Sequence, residues 1–406
     1  MNIRSHLAFF ILCIFIQNTA VAGEFSLFKQ VAAMDSMAPH LAVASDGTVV
    51  MNWLEPDGDG HTLRFSVLTN NQWETASTVA SGGNWFVNWA DFPSVVPISN
   101  QFWVAHWLVS QPAGGYAYDV AVSVSNDAGR SWSEPFLSHD DQTATEHGFV
   151  SFFPDQHGAG VIWLDGRNMT GETHNHEAEG NSEGMTLRSA LVTSNAEVVQ
   201  PRLVDSLVCD CCQTDVVLSD AGPVAVYRNR TEEEIRDIYY ARLINGQWTP
   251  GRPVSDDHWN ISGCPVNGPA IAAKGNNLVV AWYTGANEES AVQVAFSNEF
   301  SNGFGPAIKV DVANPVGGVD VLLLDDGDSV VSWLGETAEG KAVFQLQRIS
   351  ASGIKGQQHQ IAVTSAGRMT GFPQMVSAGG KIILAWTDRY DQKTIIKSAW
   401  IPLSSM

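Results

Sequence analysis

One pattern recurs seven times along this chain: a short apolar segment that ends at or near an aromatic residue. The segments span residues 49–54, 102–108, 160–164, 223–227, 278–283, 329–334 and 381–387. Their aromatic residues, six tryptophans and Tyr227, follow one another at intervals of 51 to 64 residues. A regular interval of this length is typical of an array in which each repeat is one small structural unit.

The residues around each apolar segment predict four antiparallel strands per repeat. A short strand and a polar turn come before the segment, an alternating strand follows it, and most repeats add a weaker fourth strand. This order predicts an all-β, seven-bladed β-propeller. The seventh repeat ends after its third strand, so we expect residues 25–32 to complete the last blade and close the ring. Two stacked sandwiches are the alternative.

The N-terminus is typical of a secretory signal peptide over residues 1–22. An apolar run at 7–16 is followed by Ala20-Val21-Ala22, a small-residue cleavage site. We therefore expect export to a periplasm or out of the cell after cleavage near Ala22, with residues 23–406 as a single propeller domain. No later segment predicts a membrane span. The formal net charge of −21 argues against a nucleic-acid partner, because binding phosphates needs clustered Lys and Arg.

A motif between the third and fourth strands of the second repeat suggests a family. Residues 125–132, Ser-Asn-Asp-Ala-Gly-Arg-Ser-Trp, match the Asp-box pattern S-x-D-x-G-x-S/T-W, and a weaker copy lies at 297–304. In this respect the chain resembles the sialidase-like β-propeller superfamily. We expect a folded hairpin in which Asp127 accepts backbone donors, Gly129 has a positive φ and Trp132 packs between sheets.

Strand alternation places several chemically distinctive loops on one face of the propeller, which we call the top face. It holds the loop after each second strand and the connection to the next blade. Cys209, Cys211 and Cys212 lie in one such connection, and Cys264 occupies the same position one repeat later. Asp91, Glu146 and His147 occupy that position in earlier repeats. The loop 165–185, with His174, His176 and Met185, opens on the same face, and long loops on a rigid scaffold often carry function.

The cysteines allow more than one interpretation. Thiolate, imidazole and thioether groups suit copper or zinc, so Cys209, Cys211, Cys212, Cys264, His174, His176 and Met185 are candidate metal ligands. An exported protein also permits two disulfides with three possible connectivities, one of which would join the cluster to Cys264 and link blade four to blade five. A bond between the adjacent Cys211 and Cys212 is disfavoured by geometry. A redox-active mixture of thiols and disulfide is the third alternative.

The resemblance to sialidases implies a different site. That family implies an arginine triad for a substrate carboxylate, a Tyr nucleophile helped by Glu, and an Asp acid/base. The candidates here are Arg167, Arg230 and Arg389, which follow second strands, and Tyr283, which ends one. The arginines could instead bridge acidic loops. A further alternative is a non-catalytic propeller that binds a glycan, a small molecule or a protein partner on its top face.

Overall fold

A computed structural model describes residues 25–169, 184–298, 303–310, 314–365 and 370–406. The predicted signal peptide, His174 and His176 lie outside these residues. Nearly all regular structure in them is β, with two single 3₁₀ turns at Ala286–Glu288 and Leu403–Ser405. Among the helices of these described ranges, none has the length and apolar character to cross a membrane.

The strands form seven antiparallel sheets arranged as blades, as the repeats predict. Blades one to three contain β2 Met37–Val43, β3 Val49–Asp57, β4 Gly60–Thr69, β5 Gln72–Trp73 and β6 Ser77–Gly82; β7 Ser94–Pro97, β8 Trp103–Ser110, β9 Tyr118–Ser125 and β10 Phe136–Leu137; and β11 His147–Asp155, β12 Gly158–Asp165, β13 Thr186–Val192 and β14 Val198–Asp205. Blades four and five contain β15 Asp215–Ser219, β16 Gly222–Arg228, β17 Ile238–Ile244, β18 Gln247–Trp248 and β19 Arg252–Pro253; and β20 Ala270–Lys274, β21 Asn277–Thr284, β22 Ala291–Ser297 and β23 Ile308–Lys309. Blades six and seven contain β24 Pro315–Leu323, β25 Ser329–Glu336, β26 Lys341–Ile349 and β27 Lys355–Ser365; and β28 Gln374–Ala378, β29 Lys381–Tyr390 and β30 Lys393–Pro402.

The N-terminal strand closes the ring. Strand β1, Ser26–Leu27, pairs antiparallel with β30 and becomes the outermost strand of blade seven. The next residue continues the contact, since the Phe28 N–H donates to the Ser398 carbonyl at 2.9 Å. The predicted closure is confirmed, with two paired residues rather than the whole of 25–32. This pairing removes an open sheet edge from the last blade.

Each aromatic residue of the repeat packs between neighbouring blades. Trp53, Trp163, Trp282 and Trp333 are at most 2% exposed. They lie on second strands, whose two faces are covered by neighbouring blades. The apolar segment is therefore buried in one blade after another around the ring. This explains why the sequence signal is a nearly unbroken apolar run rather than a strict alternation.

Polar side chains link neighbouring blades near the axis. The buried Asn52 accepts from Val95 N–H at 2.7 Å and donates to the Pro93 carbonyl at 3.0 Å, which joins blade one to blade two. The carboxyl of Asp215 accepts from Ile271 N–H at 2.8 Å, and that of Asp320 accepts from Met375 N–H at 2.7 Å. Burial raises the pKa of Asp215 to about 6 and that of Asp320 to about 7. These contacts satisfy backbone groups that the sheets leave unpaired.

Residues 125–132 form the expected hairpin between β9 and β10. Asp127 accepts from the Ser131 N–H at 2.8 Å and from the Ser131 hydroxyl at 2.6 Å. Gly129 has φ +80° and packs against Phe65 and Trp103. Trp132 meets Phe65 edge to face at 6.1 Å between blades one and two. The weaker copy lies partly outside the described residues.

We predict that Asn52→Ala destabilises the propeller by roughly 2 to 4 kcal/mol, because it leaves a buried N–H and a buried carbonyl without partners. A urea unfolding curve measures the effect. Asn100→Ala is the control, since Asn100 is exposed and only accepts from the Ser45 hydroxyl. An equal midpoint for both variants would contradict the role assigned to Asn52.

Candidate functional site

The two cysteine-bearing connections meet on the top face. A disulfide joins Cys211 to Cys264, with 6.1 Å between their Cα atoms, and links the connection before blade four to the one before blade five. Cys209 and Cys212 are free thiols whose sulfur atoms are 3.3 Å apart. The sulfur atoms of Cys209, Cys212 and Cys264 all lie within 4.8 Å of one another. The site therefore combines a buried dithiol with an adjacent disulfide.

The backbone holds the dithiol in place. Cys209 N–H donates to the Arg228 carbonyl at 3.0 Å, and Val208 N–H donates to the Met185 carbonyl at 2.9 Å. On the other side, the Thr214 hydroxyl donates to the Phe149 carbonyl at 2.7 Å. The segment is thus tied to blades three and four, and both free thiols are nearly inaccessible, at 1% and 2% exposed.

A network of charged side chains surrounds the dithiol. The Arg236 guanidinium donates to the Cys209 sulfur at 3.3 Å and to Glu234 Oε2 at 2.7 Å. Arg230 donates to Glu234 Oε1 at 2.6 Å and lies 3.4 Å from Asp210. Glu234 therefore bridges two arginines and fixes the one that reaches the sulfur.

This network makes the two thiols unequal. Burial alone would raise the pKa of Cys209, but the hydrogen bond from Cys212 and the charge of Arg236 outweigh it and lower the pKa to about 7. The pKa of Cys212 is raised by burial and by the neighbouring Cys209. Near neutral pH, Cys209 is the thiol that ionises first.

Arg228 is held as a fixed buried cation beside the site. It is 2% exposed, and its guanidinium donates to the carbonyls of Asn267 at 2.8 Å and Arg236 at 2.6 Å. It also lies 4.8 Å from the ring centroid of Trp259. Its positive charge favours the thiolate form of both free thiols, but at Cys212 burial and the neighbouring Cys209 outweigh this effect and raise the pKa.

The fixed charges around the dithiol do not cancel. They are three guanidinium groups and two carboxylates, belonging to Arg228, Arg230, Arg236, Asp210 and Glu234. The excess of one positive charge favours one thiolate, because a buried charge needs a compensating partner.

The structure distributes the predicted sialidase residues over four blades. Arg167 in blade three forms a two-bond contact with Asp165, each bond 2.7 Å long, and Arg230 in blade four is paired with Glu234. Tyr283 in blade five hydrogen-bonds with Ser290 at 2.8 Å, and Arg389 lies exposed in blade seven. Throughout the described ranges, no hydrogen bond or ion pair joins any two of these four side chains.

The remaining predicted metal ligands divide into two groups. Met185 is fully buried in the apolar cluster that packs against Cys211. His174 and His176 cannot be placed, because they fall in the undescribed stretch 170–183. Their roles stay predictions.

Two features of the site escaped the sequence analysis. Cys209 and Cys212 form a C-x-x-C pair, a spacing that was visible but obscured by Cys211 between them. The second feature is a buried carboxyl pair: the Tyr118 hydroxyl lies 2.7 Å from Glu146 and 3.0 Å from Asp91. Burial raises the pKa of Glu146 to about 8 and that of Asp91 to about 7, so the pair retains a proton near neutral pH. In the sequence, the one sign of this carboxyl pair was that Asp91 and Glu146 occupy the same position in their repeats.

A cavity of about 280 Å³, lined by both polar and apolar residues, lies at the axis beside these groups. Its lining includes Asp91, Gln213, Thr214, Asp320 and Gln374. Gln213 reaches across the mouth, because it donates to the Ala90 carbonyl at 2.8 Å and accepts from Gly268 N–H at 3.0 Å. The cavity is of a size that admits a small polar ligand.

Comparison with solved structures identifies the fold. Polysaccharide lyase Uly1 aligns over 96% of this chain and 94% of its own, with 9% identity and a TM-score of 0.52. Penicillium chrysogenum alpha-L-arabinanase aligns over 95% and 99%, with 10% identity and a TM-score of 0.50. The chain has the β-propeller fold that these two structures share. A Trypanosoma rangeli sialidase aligns over 89% of this chain and 59% of its own, with 11% identity and a TM-score of 0.46.

The sequence comparisons found no relatives. No protein-family model matches the chain, and no curated protein matches it. At these identities the structural likeness shows the fold alone, so the chemistry of the site has to be argued from its residues.

We predict that one thiol of the protein ionises with a midpoint near pH 7, followed by the ultraviolet absorbance of the thiolate with the Cys211–Cys264 disulfide intact. Cys209→Ser should abolish this step. Arg236→Ala should raise the midpoint by roughly 1 to 3 units, because the neighbouring cation is lost. Arg130→Ala, an exposed arginine of the Asp-box, serves as the control. An unchanged midpoint in Arg236→Ala would contradict the assignment.

Proposed function

We propose that this protein is an exported propeller that binds a thiophilic metal ion, copper(I), through Cys209 and Cys212. The observation that carries the proposal is a pair of buried thiols 3.3 Å apart within a surrounding fixed charge of one positive unit. Thiolates are soft ligands and select Cu(I) and zinc over hard cations.

Charge balance favours the monovalent ion. Two thiolates and Cu(I) together carry one negative charge, which the excess positive charge of the arginine network neutralises. Two thiolates with Zn²⁺ are neutral and leave that positive charge uncompensated. Binding Zn²⁺ with all four cysteines would require reduction of the Cys211–Cys264 disulfide and would leave one negative charge. Arg236 therefore distinguishes between metals as well as orienting Cys209.

The surroundings also protect a copper–thiolate group. Both sulfur atoms are shielded from water, and the apolar cluster containing Met185 packs against Cys211. A metal–sulfur bond is about 2.3 Å long, so the two sulfur atoms must move apart slightly when the ion binds between them. Met185 could add a thioether ligand only if its side chain leaves that cluster.

We predict that the protein binds one Cu(I) ion in an anaerobic competition titration against a chromogenic chelator. Cys209→Ser and Cys212→Ser should each weaken binding by about 100-fold or more, since each removes one of two ligands. The double variant Cys211→Ser/Cys264→Ser is the matched control and should retain the ion. Equal binding by all variants, or no binding when two free thiols are titrated, would contradict the proposal.

Carbohydrate binding or hydrolysis is the second candidate. It is favoured by the fold likeness to an arabinanase and a polysaccharide lyase and by the cavity at the axis, whose lining includes polar side chains. Arg167 and Arg230 each form an ion pair with a carboxylate of the protein itself, Asp165 and Glu234 respectively. A substrate carboxylate would have to displace that partner, which makes sialic acid recognition by these arginines costly.

We accordingly expect no release of sialic acid from a fluorogenic sialoside. Release that is abolished by Arg230→Ala or Arg389→Ala would replace the metal-binding proposal with a sialidase. Activity on other glycosides that survives Cys209→Ser would instead indicate a separate carbohydrate site.

A further inference from the structure

A second group of ligand-type side chains lies between blades two and three, away from the cysteines. It consists of two imidazoles placed between two carboxylates, His139 and His147 with Asp119 and Asp141, and we call it the imidazole cluster. The imidazole side chains are 2% and 0% exposed, and their rings stack in parallel with centroids 3.7 Å apart. Because buried polar atoms normally have a hydrogen-bond partner, each of the four ring nitrogens should have one.

Asp141 orients both rings. Its Oδ1 lies 2.7 Å from His139 Nδ1, and its Oδ2 lies 3.2 Å from His147 Nε2. If both rings are neutral and Asp141 is ionised, each ring has to donate one N–H to Asp141. Arg167 Nη2, 3.3 Å from Oδ1, and the hydroxyl of Thr143 hold this carboxylate in turn. A carboxylate that accepts from one nitrogen of an imidazole and so fixes its other nitrogen as a ligand is a recurrent arrangement around bound metals.

The second nitrogen of each ring then presents a lone pair to other acceptors. His139 Nε2 faces Asp119 Oδ1 at 3.4 Å and makes no hydrogen bond within the described part of the chain. His147 Nδ1 lies 3.8 Å from the same oxygen and 3.3 Å from the Tyr118 carbonyl. Lone pairs directed at oxygen acceptors repel unless a proton or a metal ion lies between them.

Protonation of the rings does not fully remove this repulsion between lone pairs and oxygen acceptors. Protonating both rings would place two positive charges on parallel rings whose centroids are only 3.7 Å apart. With one ring protonated, the other still directs a lone pair at an acceptor.

We propose that Asp119, His139 and His147 form a binding site for a divalent ion of the Zn²⁺ class. In a tetrahedral site with bonds of about 2.1 Å, neighbouring ligand atoms lie roughly 3.4 Å apart. The separation of His139 Nε2 and Asp119 Oδ1 matches this value. His147 Nδ1 is somewhat further away, and both rings turn from their parallel stacking to reach the ion. Rotation about the terminal torsion of His is soft enough to allow this.

Local charge and access support the same ion. The carboxylates of Asp140, Asp141 and Asp165 face the guanidinium groups of Arg167 and Arg188, and Asp119 faces the imidazole rings. Four carboxylates against two guanidinium groups leave two negative charges for a divalent ion to neutralise. Asp119 is the more open member, with its side chain 19% exposed, and Gln111 Nε2 donates to its Oδ1. Three protein ligands leave a fourth position open on that side, as in catalytic zinc sites.

Equilibrium dialysis against Zn²⁺ tests the site in the Cys209→Ser/Cys212→Ser background, where the dithiol cannot contribute. We expect one bound equivalent, lost in His139→Asn and in Asp119→Asn and retained in His157→Asn, an exposed control. Absence of zinc from the background variant, or equal binding with His139→Asn, would overturn the proposal and leave a protonated imidazole pair as the explanation.

A second measurement covers the case in which a variant does not fold. Co²⁺ added to the unaltered protein reports its ligands by its absorption spectrum. Binding at the imidazole cluster gives ligand-field bands without an intense sulfur-to-metal charge-transfer band. A spectrum in which every bound Co²⁺ shows sulfur ligation would contradict the proposal, and it would leave the copper proposal intact.

Discussion

The contacts between the innermost strands govern how this propeller is assembled. Each innermost strand faces the axis with one edge. No further strand pairs with that edge, so its backbone groups need other partners. Side chains of the preceding blade supply several of them: Asn52 bonds to blade two, Asp215 to blade five and Asp320 to blade seven. With the ring closed by β1 on β30, each blade is held both by apolar packing between sheets and by these polar contacts near the axis.

The same axial constraint creates the candidate site. Because each connection enters its innermost strand close to the axis, the connections of adjacent blades lie side by side. Cys211 and Cys264 are thereby brought within disulfide distance although they are 53 residues apart in sequence. The dithiol of Cys209 and Cys212 is buried beneath this link, and Arg236 compensates the charge of its thiolate. The closed ring thus holds a pair of free thiols that are almost inaccessible to solvent.

The repeats predicted the architecture well. Each second strand is buried on both faces, so its sequence has to be apolar along its whole length. They also predicted which loops share a face, since that follows from strand alternation. The hydrogen-bond partners within the site were not predictable in the same way. Glu234 bridges Arg230 and Arg236 only because of the turn before β17, and Tyr118 meets Glu146 only through the register of two blades. The imidazole cluster likewise joins residues from β9, β11 and the connection between them, and no local spacing marks it.

In our proposal, two buried thiolates, balanced by the arginine network, hold a monovalent copper ion. X-ray absorption of the copper-loaded protein tests it most directly, because it identifies the metal's neighbours. We expect Cu(I) with two sulfur neighbours, unchanged in Cys211→Ser/Cys264→Ser and lost in Cys209→Ser. Copper coordinated only by nitrogen and oxygen, or a Cys209–Cys212 disulfide that leaves the protein unable to bind copper, would contradict the proposal.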